Sequence, residues 1–290
     1  MIVHLVDGTY ELFRYHFGAP PHRTPDGREV AATRGVLGSM LSMLEAGATH
    51  VGIATDHVIE SFRNALLESY KTGEGVDPAL RSQFELLEDT LRAAGFVVWA
   101  MEDYEADDAL GAAAAFARED ARVERVMICT PDKDLGQCLT ADGRVMQFDR
   151  RREILTDWAG VIAKFGVEPP SIPDYLALVG DTSDGIPGVP GWGAKTTGTV
   201  LARYRRLEDI PRKAGSWDVS VRNAARLVQA LEQHWEQALL YRRLATVDSN
   251  AVAIGSVDEL AWTGPAHGYE DAFHAIDADG AISRIQRLIG

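Results

Sequence analysis

FVVWAMEDYEADDALGAAAAF, residues 96–116, runs from apolar and β-branched residues through an acidic turn into alanines. Residues 96–100 read as a buried strand and 105–119 as a helix, so one short stretch carries both halves of an α/β unit. The same alternation extends outward. Before it, strands are expected at 2–6 and 50–55, helices at 9–17 and 32–46, and a long, mostly helical crossover at about 60–94. After it come a strand at 125–130 and a strand pair around 144–155. Such alternation predicts an α/β fold with a mainly parallel central sheet flanked by helices. From about residue 156 the strand signal fades, and WAGVIAKF, DYLALVG, KTTGTVLARY and the stretch 219–247 read as helices. VEPPSIP (167–173) marks the connection. The expected division is an α/β domain over 1–165, including the crossover, and a helical region over 166–290.

Acidic residues cluster where strands end. IVHLV precedes Asp7, VGIAT precedes Asp56, and VMICTP precedes Asp132 and Asp134. Glu105, Asp107 and Asp108 open the helix after the 96–100 strand, with Glu105 and Asp108 three apart and hence on one face. GDTSDGIPGVPGWGAKT (180–196) adds Asp181 and Asp184 ahead of a glycine- and proline-rich loop. Taken singly, each group has a plain structural explanation: acids suit the first turn of a helix, and aspartates cap turns. Together they converge on one sheet edge, the edge at which open α/β sheets bind ligands. Carboxylates collected there repel one another unless cations sit among them, and a pair of divalent ions in oxygen ligands is the simplest relief. Phosphodiester hydrolysis uses that arrangement.

Bulk properties bound the reading. A chain of 290 residues, 46% hydrophobic and 25% charged, has ample material for a core. No apolar run approaches a membrane span, and MIVHLVDGTYE lacks a basic leader, so a cytoplasmic protein is expected. Cys129 and Cys138 are expected as reduced thiols in or near the core. The net charge of −14 argues against a nucleic-acid partner at first sight, yet the nine candidate acids account for most of it. Residues 195–226 run the other way, with eight bases (Lys195, Arg203, Arg205, Arg206, Arg212, Lys213, Arg222, Arg226) against Glu208, Asp209 and Asp218. KTGEGVDP (71–78), with few apolar groups and two glycines, reads as mobile. Two other readings fail on single residues. GVPGWGAKT is not a nucleotide-binding P-loop, because Ala194 separates Gly193 from Lys195 and no strand precedes it. LVDGT lacks the nucleophilic aspartate of the haloacid dehalogenase group, whose place Leu5 holds.

LVDGTYELFR, GVLGSM, SFRNALLESYK, YEADDALG, TPDKDL and GDTSDGIPGVPGWGAKT occur in this order along nearly the whole chain. The set resembles the 5′ nuclease of bacterial DNA polymerase I and its stand-alone relatives, the flap endonuclease group. The resemblance implies a PIN/resolvase-like α/β domain with a helical arch at about 60–94. It also implies a helix–three-turn–helix at about 176–205 in the helical region. It matches Asp7, Asp56, Glu105, Asp107, Asp108, Asp132, Asp134, Asp181 and Asp184 to metal-site acids. The first five would serve chiefly one Mg²⁺ or Mn²⁺ ion and the last four a second. Lys71 resembles the arch lysine that contacts the scissile phosphate, and Arg63 and Arg14 match basic positions there. Asp7, Asp134, Lys71 and Arg63 are therefore the expected catalytic residues. Gly188, Gly191, Gly193 and Lys195 match the loop that binds the duplex backbone, often with a potassium ion held by carbonyls.

The expected function is a structure-specific 5′ nuclease acting in replication and repair as a free-standing monomer. Its expected substrate is DNA with a 5′ flap, a 5′ end or a single-strand/duplex junction, and a DNA polymerase is the implied partner. Three positions depart from the family pattern. Glu74 stands where an arginine is common, Thr55-Asp56-His57 where Phe-Asp and small or basic residues are usual, and Gly185 where asparagine is usual. The access side is less basic as a result. A metal-dependent ribonuclease and a non-catalytic structure-specific DNA-binding protein stay open as alternatives.

Overall fold

The computed structural model describes residues 1–252 and 254–290. The chain opens with β1 (Ile2–Asp7), α1 (Gly8–Gly18), α2 (Ala31–Glu45) and β2 (His50–Asp56). It continues through α3 (Pro78–Arg81), α4 (Phe84–Ala93), β3 (Val97–Met101), α5 (Ala106–Ala117) and β4 (Arg125–Cys129). Next come β5 (Val145–Asp149), β6 (Ile154–Thr156), α6 (Trp158–Phe165), α7 (Ile172–Val179) and α8 (Ala194–Tyr204). The last elements are α9 (Ala224–Gln233), α10 (Trp235–Ala245), α11 (Tyr269–His274) and α12 (Asp279–Ile289). The chain groups into two compact units, one of residues 1–59, 73–130 and 249–290, the other of 60–72 and 131–248.

In the first unit the strands run in the order β3-β2-β1-β4, every neighbouring pair parallel. Val3, Leu5, Ile53 and Ile128 are fully buried, as expected of strands covered on both faces. Alanine-rich α5 packs against all four strands, and its small side chains let it approach closely. α4 covers β2 and β3 through Leu87 and Leu91, each burial worth about 2 kcal/mol. The chain then returns from residue 249 to complete this unit. α11 packs on α4 and α12 on α2, with Phe273 and Ile285 fully buried. Arg284 ties α12 down by donating to Gly38 O (3.0 Å), Ser42 Oγ (2.8 Å) and Glu45 (2.7 Å). Residues 249–290 therefore pack as cover for the α/β unit, apart from the helical region with which the sequence pattern had grouped them.

The crossover is less helical than expected. After a single turn at Phe62–Ala65, regular structure resumes only at α3. KTGEGVD lacks the apolar spacing that would hold a helix, and the helix begins where Asp77 caps it by accepting from Ala79 N–H (2.8 Å) with Pro78 in its first turn.

In the second unit β5 and β6 form an antiparallel hairpin. The helices pack around Leu176, Leu178, Trp192, Val200, Leu201, Leu227, Leu231 and Leu244. α7 lies against α8 and α10, and the expected 219–247 helix breaks at His234 into α9 and α10. Cys129 is buried and Cys138 half-buried.

Candidate metal centre and nucleic-acid loop

Because β1 to β4 are parallel, their C-terminal ends share one edge, and the acids of the first unit lie along it. Asp7 ends β1 and caps α1, accepting from Tyr10 N–H at 2.8 Å. Its other oxygen accepts from Thr130 Oγ1, just past β4, at 3.0 Å. Asp56 ends β2. Its N–H donates to Thr9 Oγ1 (2.7 Å), and its Oδ1 accepts from Ala106 N–H (2.8 Å) at the start of α5. Glu105 N–H donates to Asp108 Oδ2 at 3.0 Å in a reciprocal cap. Asp7, Glu105 and Asp108 are buried and Asp107 half-buried. The positive end of the α5 dipole lowers the cost of these charges.

The acids of the second unit meet more closely. One carboxylate oxygen each from Asp134, Asp181 and Asp184 lie within 4.8 Å of one another. Asp134 Oδ1 and Asp181 Oδ2 are buried with no hydrogen-bond partner. Burial, then repulsion from Asp132, Asp184 and Asp181, pushes the Asp134 carboxyl well above the usual range, against the pull of Lys133. Lys133 Nζ lies 2.5 Å from Asp181 Oδ2 and 3.8 Å from Asp134 Oδ1, an ion pair whose direction does not make a hydrogen bond. Burial alone would lower this lysine, but the aspartates outweigh it and hold its pKa raised. Exposed Asp132 accepts from Asp134 N–H at 2.9 Å and so fixes the turn. Three clustered carboxylates, with Asp134 Oδ1 buried without a hydrogen-bond partner and one ammonium among them, offer the hard oxygen donors that a divalent cation takes, so the residues fit one.

The expected basic residues separate. Lys71, 29% exposed, places Nζ 3.6 Å from Asp184 Oδ1, and its N–H donates to Asp184 O at 3.1 Å. Arg63 does not reach outward: its side chain, buried to 3% exposure, donates to the carbonyls of Leu244 (2.8 Å) and Thr246 (3.1 Å) at the end of α10. That arginine is spent on holding a helix end. Arg14 pairs with buried Glu11 and lies 4.1 Å over the Tyr15 ring, with its Nε buried and unpartnered.

Gly185 and Gly188 make the loop after α7 possible. Both have positive φ (73° and 74°). A Cβ on Gly188 would come within 2.6 Å of the Gly180 and Val179 backbone, and one on Gly185 within 1.9 Å of Ser69 O. Asp181 and Ile186 exchange backbone hydrogen bonds at 2.8 Å, and Ser69 Oγ donates to Gly185 O at 3.1 Å. The loop thus pins the Ser69–Lys71 segment beside Asp184. Beyond it Trp192 is buried with Nε1 donating to Leu227 O (3.2 Å), while Gly191, Gly193 and Lys195 are exposed at the start of α8. Backbone N–H groups at such a helix start suit a phosphate.

Sequence reasoning overlooked Lys133, Thr9 and Thr130. The signal for Lys133 was present, since TPDKDL sets one base between two acids. For the threonines it was not, because their role depends on which strand ends become neighbours.

Residues 2–166 match the family model for the 5′-3′ exonuclease N-terminal resolvase-like domain, and 167–267 match that for its C-terminal SAM fold. The DNA polymerase I of Pseudomonas aeruginosa is 35% identical over 88% of the chain, and the match covers 28% of that enzyme. The chain thus spans under a third of the polymerase relatives it matches. A 5′-3′ exonuclease of Aquifex aeolicus is 33% identical over 72% of the chain and 71% of its own length. A solved structure of bacteriophage T5 flap endonuclease, a pseudo-enzyme-product complex with DNA and metal ions, covers 100% of this chain and 98% of its own, with a TM-score of 0.62 at 20% identity. At that identity it shows the shared fold. Two family models laid end to end, and a relative matched over most of its length, carry one conclusion: the chain belongs to the 5′-3′ exonuclease family.

Proposed function

We propose that the protein is a structure-specific 5′ nuclease that hydrolyses DNA phosphodiester bonds at 5′ ends, flaps and single-strand/duplex junctions, with Mg²⁺ or Mn²⁺ as cofactor. The observation that carries the reading is the trio Asp134, Asp181 and Asp184, in which Asp134 Oδ1 is buried without a hydrogen-bond partner and Asp181 Oδ2 is paired only with the Lys133 ammonium. Asp132 and these three would hold one cation; Asp7, Asp56, Glu105, Asp107 and Asp108, on the sheet edge of the first unit, would hold another. Divalent cations held there supply acidification of the attacking water and charge stabilisation at the leaving oxygen.

The chain's own residues do the rest. Lys133 balances the carboxylates through its ion pairs to Asp181 and Asp134. Lys71, pinned beside Asp184, offers a positive charge to the scissile phosphate as negative charge develops. Arg63 supports the second unit from inside. Lys195 and the exposed glycines Gly191 and Gly193 engage the duplex backbone, which positions DNA without reading its sequence. A potassium ion at this loop, monomeric action, a cytoplasmic setting and cooperation with a DNA polymerase belong to the same proposal. Among the described residues no helix is long and apolar enough to cross a membrane.

A gel of 5′-labelled flap, nicked and blunt DNA, with matched RNA flaps, run with and without Mg²⁺ and Mn²⁺, tests the reading. Metal-dependent cleavage of the DNA flap is expected. DNA binding with no cleavage at any metal concentration would overturn it, and faster cleavage of the RNA flap would redirect it to ribonuclease action.

A further inference from the structure

Glu88 is a carboxylate on the buried face of α4, 1% exposed between Leu87 and Leu91. A charge or polar group so placed costs stability unless it is paired. Its partners are unusual: Oε1 accepts from Thr55 Oγ1 at 2.8 Å, and Oε2 lies 2.9 Å from His57 Nδ1. Arg92, one turn further along α4, approaches Oε2 at 3.8 Å. Thr55 and His57 are the chain neighbours of Asp56. Residues two apart at a strand end face the same side, and the residue between them faces the other. Glu88 therefore grips the end of β2 from behind, while Asp56 is oriented from the front by Thr9 and Ala106. The backbone beyond is held by His57 N–H on Met101 O at 2.9 Å. Thr55 and His57 are also the two residues that set the second-strand motif of this chain apart from the family pattern, and one buried carboxylate contacts both.

We propose that Glu88 is a positioning residue for Asp56, fixing the β2 terminus so that the Asp56 carboxylate is presented at one angle to the metal centre. The inference rests on the assignment of Asp56 as a cation ligand. Groups that orient ligands in this way carry roughly 10–100-fold in metal affinity or activity.

The test uses the full chain as wild type, Glu88→Ala, Glu88→Gln, His57→Ala and Asp56→Ala. Mn²⁺ binding is measured by calorimetry, melting is followed without metal, and kcat and KM are measured on a labelled DNA flap. Glu88→Ala is expected to bind Mn²⁺ roughly tenfold more weakly and to lose kcat by a similar factor, with KM little changed. Glu88→Gln, whose amide oxygen still accepts from Thr55 while its NH2 donates to His57 Nδ1 in the other tautomer, should recover most of both. Half-exposed His57→Ala should show a smaller loss in the same direction, and it carries the test if Glu88→Ala does not fold. A lower melting temperature with wild-type Mn²⁺ affinity and kcat would make Glu88 a packing residue only and overturn the proposal. So would a Glu88→Gln variant no better than Glu88→Ala. Unchanged Mn²⁺ affinity in Asp56→Ala would defeat the underlying ligand assignment. A loss in Asp56→Ala with none in Glu88→Ala or His57→Ala defeats the positioning role alone.

Discussion

Replacing Gly185 probes how Lys71 is held beside the acidic trio. An alanine Cβ there would lie 1.9 Å from Ser69 O, far inside van der Waals contact, at a backbone φ of 73°. The left-handed conformation alone costs about 1–2 kcal/mol for alanine. Relief of the clash requires the Ser69–Lys71 segment to withdraw. That breaks the Ser69 Oγ–Gly185 O and Lys71 N–Asp184 O bonds, both 3.1 Å, at about 0.5–1.5 kcal/mol each. The sum is about 2–5 kcal/mol, shared between a lower melting temperature and a displaced Lys71. Gly185→Ala should therefore melt several degrees lower and lose kcat on flap DNA while Mn²⁺ affinity falls much less. Gly185→Asn separates the causes. Asparagine tolerates positive φ, so strain alone would leave it near wild type, whereas the collision with Ser69 predicts a defect close to that of alanine. A Gly185→Asn variant with wild-type melting and kcat would refute the clash.

Asp134→Ala should cut flap cleavage by orders of magnitude with the fold retained by circular dichroism; a near-wild-type rate would remove the cluster from the mechanism. The raised Asp134 pKa has a definite sign. Between the ordinary aspartate value and the raised one, the folded metal-free chain holds a proton that the unfolded chain has released, so metal-free stability should fall as pH rises. Mn²⁺ must displace that proton, so its affinity should climb over the same window, and both slopes should vanish in Asp134→Asn. Lys195→Ala should weaken binding to every duplex sequence about equally and reduce the salt dependence; an effect confined to one sequence would contradict backbone positioning.

Much of this architecture was legible because its signals are local. Each parallel strand is a short run with an acid at its end or within three residues beyond it, and Asp7, Asp56 and the Glu105–Asp108 turn fell at the strand ends that the runs predicted. WAGVIAKF and KTTGTVLARY formed helices with boundaries within a residue of those expected. What escaped depends on distant partners. Nothing in SFRNALLESYK distinguishes an arginine aimed at a phosphate from one turned onto the carbonyls of Leu244 and Thr246. Nothing local marks Glu88, since its partners lie more than thirty positions away. The final forty residues carried a helical pattern but no mark of which layer they would cover.

The three-segment make-up of the α/β unit bears on how the protein is made. All four of its parallel strands have been synthesised by Cys129, yet the helices that shield α2 and α4 follow only after the whole second unit has been translated. At about 5–20 residues per second, that leaves the outer faces of α2 and α4 uncovered for about 6–24 s. During the wait the surfaces later sealed by Phe273 and Ile285 face solvent, which invites chaperone capture. A nascent chain stalled just before residue 249 should accordingly be captured or digested far more readily than one released in full.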